Sequence, residues 1–304
     1  MPTTPHPARS GETAVARIAA GVNGYPEGRD AAVLASTIAG MVGAELMLVA
    51  VHPDPMVVLP VELGWAGMRK EAERLLRETR DAVAPGARIV VETDWSVPRA
   101  LERVVQREHR SLLVIGSSRR GPDGHVRIGR LTRQLLSHSR CALAVAPRGF
   151  AEQPIRRLTR IGAGYDGAPE SEAALALAGS LAISAGATLR VRGVVDDRVP
   201  MVGWQTAGAE QALSMWEELL EPQVATLLER ARSAAEATGA ELADVDVRRG
   251  RPADALIELC REVDLLVIGS RRWGVAARVL LGRTGEALLH DSSVPVLVVP
   301  RPEV

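Results

Sequence analysis

Short runs that are apolar at every position recur along the chain, and between them apolar residues return at helical spacing. LLVI at 112–115 and VLVV at 296–299 are typical. A strand covered on both faces needs such a run, whereas a half-exposed strand alternates. The pattern predicts strands in the first half at Arg17–Val22, Glu45–Val51, Arg88–Glu92, Leu112–Ile115 and Ala142–Ala146. In the second half it predicts them at Arg160–Tyr165, Thr188–Val194, Glu241–Arg248, Leu265–Ile268 and Pro295–Val299. Helical periods such as Glu170–Ala185 and Gln211–Thr238 lie between. Gly43 and Gly186 follow the first helix of each half, where a left-handed C-terminal cap falls. Alternating β and α elements predict right-handed crossovers and a doubly wound parallel sheet.

The same pattern is written twice. RIAAGVNG from Arg17 and RIGAGYDG from Arg160 stand 143 residues apart. LLVIGSSRR from Leu112 and LLVIGSRRW from Leu265 stand 153 apart, as do ALAVAPR from Ala142 and PVLVVPR from Pro295. Preserved order over a whole half means duplication. The change of offset places about ten extra residues between the second strand and second helix of the second copy. The boundary falls near Arg148–Arg157, giving domains at 14–150 and 155–304, and 304 residues suit two domains of ordinary size.

Composition changes this picture little. With 46% hydrophobic and 24% charged residues, each half can bury a core. Lys+Arg and Asp+Glu both number 37, which argues against nucleic acid or an anionic membrane as partner. Lys70 is the only lysine; codon bias explains it, and selection for forked phosphate donors is the local alternative. Cys141 and Cys260 form no metal or redox motif and read as packed apolar residues in a reduced, cytoplasmic setting. The polar Met1–Thr13 segment reads as a loose tail, and no run is long enough to span a bilayer.

Candidate chemistry lies where both copies switch from apolar to Gly and polar residues. In open α/β sheets a ligand sits beyond the carboxyl ends of the strands, where strand order reverses. With order 3-2-1-4-5 that point lies between GVNGY and IGSSRR in the first copy, and between GYDGA and IGSRRW in the second. Gly permits close backbone approach, and a Gly loop entering a helix offers free N–H groups to an anion.

These runs, in this order, resemble the universal stress protein family over about Ala14–Pro300. Nucleotide-binding members of that family carry Gly-x2-Gly-x9-Gly-(Ser/Thr). The first Gly falls on Gly116 and Gly269, and the third on Gly129 and Gly282. The second Gly is replaced by Arg119 or Arg272, and the closing Ser/Thr by Arg130 or Arg283. The adenine-side aspartate falls on Asp166 followed by Gly167, but on Asn23 in the first copy. The apolar residue ending strand two falls on Val51 and Val194. Ile268, Ser270 and Thr284, with Ser117, complete the set the resemblance places near phosphate. It implies ATP as ligand, with Mg²⁺ only alongside ATP. It also implies antiparallel pairing of the two fifth strands into an intramolecular pseudo-dimer, with a further homodimer in keeping with the family.

Each feature has a plainer reading. Asp-Gly and Asn-Gly are ordinary turn pairs. An Arg at a helix start cannot cap it, and its charge opposes the helix dipole. A phosphate offsets both penalties; equally, the long side chain can fill the phosphate space. Asp166 favours the second copy as the working one. The Pro-bearing loops Asp54–Trp65 and Val199–Gln205 are either lids over a base or packing between the halves. The histidines His52, His109, His125, His138 and His290 have no ligand spacing and read as surface residues, and no serine sits in a nucleophile elbow. Three functions remain: an ATP-binding stress module, a ligand-free interaction module whose phosphate sites Arg fills, and, last, a slow ATPase with no base placed for it.

Overall fold

The computed structural model describes residues 15–52, 65–139, 141–153, 157–198, 209–272, 279–280 and 283–300. The tail, Gly282 and both Pro-bearing loops, apart from Trp65, lie outside them. The first copy runs β1 (Arg17–Gly21), α1 (Pro26–Val42), β2 (Glu45–His52), α2 (Trp65–Val83), β3 (Arg88–Thr93), α3 (Val97–Arg107), β4 (Leu112–Gly116), α4 (Arg130–His138) and β5 (Ala142–Ala146). The second repeats it as β6 (Arg160–Tyr165), α5 (Pro169–Ala185), β7 (Thr188–Val195), α6 (Ala209–Ala237), β8 (Leu242–Arg249), α7 (Pro252–Leu259), β9 (Leu265–Gly269), α8 (Arg283–Asp291) and β12 (Val296–Val299). A two-residue pair, β10 (Arg271–Arg272) with β11 (Val279–Leu280), branches off after β9.

Each copy has the order 3-2-1-4-5, and the two join into one ten-stranded sheet, β3-β2-β1-β4-β5-β12-β9-β6-β7-β8. Every pairing in it is parallel except β5 with β12, where Val145, Ala144 and Leu143 face Val296, Leu297 and Val298. That junction covers two strands too apolar to leave as bare edges. Helices cover both faces. One layer packs α1, α2, α5 and α6 on residues such as Leu48, Val114 and Leu297; the other packs α3, α4, α7 and α8 on Met47, Leu113 and Leu266.

Gly43 (φ 69°) and Gly186 (φ 60°) are left-handed caps, as the sequence predicts. The extra residues of the second copy are not a longer connection, as the offsets suggest. They lengthen the helix itself, α6 having 29 residues against 19 in α2. The added stretch is rich in Ala, Glu, Gln and Leu, which favour helix, although Pro222 removes one internal hydrogen bond. Both cysteines are buried; burial pushes the Cys141 thiol up to about 11. His52 departs from the surface reading: it is buried at the end of β2, with Nε2 2.8 Å from the Thr93 hydroxyl.

The junction has side-chain and loop supports. Asp30 of α1 is buried and accepts N–H groups of Gly149 (2.9 Å) and Ala151 (2.8 Å) in the linker. The loop after β4 reaches across as well: the Val126 N–H donates to Ser292 O (2.8 Å) and the Ile128 N–H to Leu289 O (2.9 Å), both on the second copy.

Candidate functional site

At the carboxyl end of the first copy's sheet, where β1 and β4 part, lies a cleft of about 1010 Å³. Asn23, Val51, Gly116, Ser117, Arg119, Gly129 and Arg130 all line it. Its floor is apolar and buried: Val22, Val49, Leu101 and Ile115.

The Gly loop is built by close packing. A Cβ on Gly116 would strike the carbonyl of Glu27, so only glycine lets β4 pass under the start of α1. Gly269 and Glu170 repeat this contact in the second copy. The buried Ser117 hydroxyl accepts the Arg127 N–H (2.6 Å) and donates to Arg127 O (3.2 Å), bracing the loop over the cleft. α4 then begins at Arg130 from Gly129, and no side chain caps it. Its first N–H groups are therefore open to an anion. Arg130 is exposed and makes no ion pair among the described residues.

Arg119 does not fill the phosphate space. Its guanidinium lies over the Tyr25 ring, 3.4 Å from the centroid, with Nε 2.8 Å from Glu27 Oε1. The sequence leaves the direction of this side chain open because both partners are distant in the chain, Tyr25 before α1 and Glu27 in its first turn. Asn23 turns out to be occupied by its own turn: Oδ1 accepts the Tyr25 N–H (3.2 Å) and Nδ2 donates to Glu27 (3.3 Å).

The sequence reading missed the opposite rim, Trp95–Leu101. There the buried Asp94 accepts from Arg99 (2.7 and 3.0 Å), Arg103 (2.9 Å) and the Ser96 N–H (2.8 Å). The Arg99 guanidinium above all holds its carboxyl down at about 2, against desolvation. An Asp three residues ahead of a Pro-started helix was the available signal.

The second copy differs at the same places. Asp166 is exposed and its Oδ1 accepts the Ala168 N–H (3.0 Å), the same turn that Asn23 makes. Gly167 (φ 76°) lies under Arg230, which donates to its carbonyl (2.8 Å). Ser270, the partner of Ser117, is buried, and its Oγ has no hydrogen bond among the described residues. Val194 and Ile268 each lie one residue before the end of their strands, and Thr284 is half-buried on α8. Arg272 and Arg283 lie in described backbone, but their side chains are outside the described residues, as is Gly282.

The largest difference is beneath the site. β1 pairs Gly21 with Val49, and β6 pairs the corresponding Gly164 with Arg192. Where the first copy has an apolar floor, the second buries a guanidinium, 1% exposed. It donates to both Asp246 oxygens (2.9 Å each), to Ala255 O (3.3 Å) and to Glu262 (3.3 Å). Among the described residues no group of His, Cys, Asp and Glu could hold a metal, and no helix is long and apolar enough to cross a membrane.

Comparison with known proteins gives this arrangement a family. The pattern of the Universal stress protein family matches residues 15–147 and again 158–300. Two universal stress proteins of Mycobacterium tuberculosis are similar. One is 26% identical over 298 residues, 92% of this chain and 96% of the relative. The other is 28% identical over 239 residues, 77% of this chain and 79% of the relative. Among solved structures, a universal stress protein of Archaeoglobus fulgidus shares the fold with a TM-score of 0.64 at 19% identity, over 94% of this chain and 97% of that one. A functionally unknown protein of Pseudomonas aeruginosa does so with a TM-score of 0.62 at 19% identity, over 95% and 94%. The chain belongs to the universal stress protein family, as two of its domains in tandem.

Proposed function

We infer that this protein is a stress-response binding module whose first copy takes an adenine nucleotide, with ATP as the reference ligand, while its second copy serves as a ligand-independent partner domain. One observation carries the reading. A single cleft joins an apolar floor at the end of β2 to an uncapped helix start flanked by Arg119, Arg120 and Arg130. That combination suits a base at one end and phosphates at the other. The residues present fit such a ligand: Gly116 keeps the loop close to α1, and Arg119 is drawn aside onto Glu27. Arg130 can grip phosphate through paired N–H groups, and Mg²⁺ would arrive with the triphosphate. The role is binding and not turnover: the one carboxylate among the described lining residues, Glu27, is held by Arg119.

For the second copy the interaction reading is favoured by Arg192, whose buried ion pairs occupy the layer that forms the floor in the first. This moves the working site from the copy with Asp166 to the copy with Asn23.

Titration calorimetry with ATP and Mg²⁺ is the test. The protein should release or absorb heat on binding, and Arg130→Ala should weaken binding about tenfold, the scale of one charge-assisted contact. No heat with ATP, together with Arg119 still resting on Glu27 in a structure grown with ATP, would contradict the reading.

A further inference from the structure

Aromatic side chains are scarce in this chain: five Trp, two Tyr and one Phe among 304 residues. One of them, Trp95, is left 69% exposed, the most exposed large apolar side chain among the described residues. A tryptophan ring is a large apolar surface that proteins ordinarily bury. Here it stands on the wall of the first copy's cleft.

Its loop is braced. The Arg99 guanidinium stacks over the ring, 4.7 Å from the centroid. Arg99 is itself fixed by both oxygens of Asp94, which also hold Arg103 and the Ser96 N–H. The second copy has nothing similar, since β8 passes through Gly250 and Arg251 straight into α7. A ring on a braced support, left in water by the described residues, is available for contact with a bound group.

Sheet order says what kind of contact. Trp95 follows β3 and the arginines follow β4, with β2 and β1 between them. Three strand spacings separate these ends, about 14 Å. The lining on the β3 side includes Trp95, Val97 and Pro98, with Val51 near the end of β2; on the β4 side it includes Gly116, Arg119, Arg120, Gly129 and Arg130. Within the lining itself the β3 side is aromatic and apolar, with Arg99 over the ring, and the β4 side carries the arginines, one of them paired with Glu27.

We propose that Trp95 is the stacking platform that binds the planar ring of the ligand, and so is the residue that makes the first copy select a ring-bearing polyanion over a bare one. This rests on the nucleotide reading above and adds to it the residue that recognises the ring. Asn23 is spent on Tyr25 and Glu27, so ring recognition falls to stacking, which has no need of side-chain hydrogen bonds.

Three probes separate the contributions: ATP, adenosine and inorganic tripolyphosphate, titrated into the full chain with Mg²⁺ and followed by calorimetry and tryptophan emission. Wild type should bind ATP more tightly than tripolyphosphate. Trp95→Ala should weaken ATP and adenosine about tenfold, the scale of one base on one aromatic ring, and leave tripolyphosphate unchanged. Trp95→Phe, which keeps a ring, should recover most of that loss. The emission change on ATP binding should vanish in both variants. Equal weakening of ATP and tripolyphosphate in Trp95→Ala would mark a merely structural role and overturn the proposal, as would ATP binding no more tightly than tripolyphosphate to the wild type. In those two cases the anion site still stands. If none of the three probes binds, both readings fall.

Discussion

The floor of the first copy and the same layer of the second are built on equivalent strands and differ at one central position. Against Gly21 of the first copy lie Leu101 and Ile115, with Val49 beside them; against the equivalent Gly164 of the second lie Leu256 and Ile268, with Arg192, paired to Asp246 and Glu262, in place of Val49. Duplication kept the backbone and released one copy from the constraint on what the strand presents. A cleft must keep an apolar surface that a ligand can complete. A layer with no ligand can close on itself with an ion pair, provided every buried charge is partnered. The rims follow suit, with Tyr25 facing Ala168 and Trp95 facing Gly250 and Arg251.

The strongest way to break this comparison is to give the second copy the first copy's residue. Arg192→Val removes the buried partner of Asp246 and Glu262, and should cost about 3 kcal/mol in denaturant unfolding, at the low end for a broken buried pair because Asp246 keeps Arg248, Glu262 keeps Arg190 and both retain some solvent. Arg192→Val with Asp246→Leu should recover most of it. If the single variant is as stable as wild type, the ion pair does not hold the second copy together.

A smaller effect is expected where the linker meets the first copy. Asp30→Ala removes the acceptor for Gly149 and Ala151 and should cost about 2 kcal/mol by the same assay. Burial holds the Asp30 carboxyl above its ordinary value, so its charged form is not what stabilises the fold.

The cross-copy support of the Gly loop should matter more to binding than to folding. Val126→Pro deletes the N–H that reaches Ser292 and should cost about 1 kcal/mol of stability. If the second copy's α8 positions the loop, ATP affinity falls as well; unchanged affinity would mean that the first copy carries its site alone.

The smallest expected effect is a pH dependence at the Trp95 rim. Asp94 titrates at about 2 in the folded chain, against 3.8 for an unperturbed carboxyl. A lowered folded pKa gives stability that is present above the unfolded value and lost as pH falls toward the folded one. The stability gap between wild type and Asp94→Asn should therefore be constant near neutral pH and close between about pH 4 and pH 2. A gap that widens on acidification would reverse the sign of the account.

Much of this was legible before any coordinates. Unbroken apolar runs located the strands to within a residue or two, because strands covered on both faces leave no polar position to confuse the reading. Gly43 and Gly186 marked helix ends because only glycine takes that backbone cheaply. That the seven first-copy candidates gather around one cleft was legible too, since a Gly loop at a strand end is a local signal. What escaped was non-local. Arg119 could not be aimed without knowing that Glu27 and Tyr25 sit across the switch point. His52 read as exposed because its partner Thr93 is on another strand. Arg192 sits in TLRVRG, where alternating arginines suggest a solvated face, yet α7 covers that face. The extra residues of the second copy were detectable as a changed offset, but helix and loop insertions shift an offset alike.

The central claim is that one copy binds and the other supports. Titration calorimetry of ATP into wild type, Arg130→Ala and Asp166→Ala tests it most directly. The account predicts one ATP per chain, about tenfold weaker binding in Arg130→Ala, and no change in Asp166→Ala. Two ATP per chain, or loss of binding in Asp166→Ala with Arg130→Ala unaffected, would contradict it.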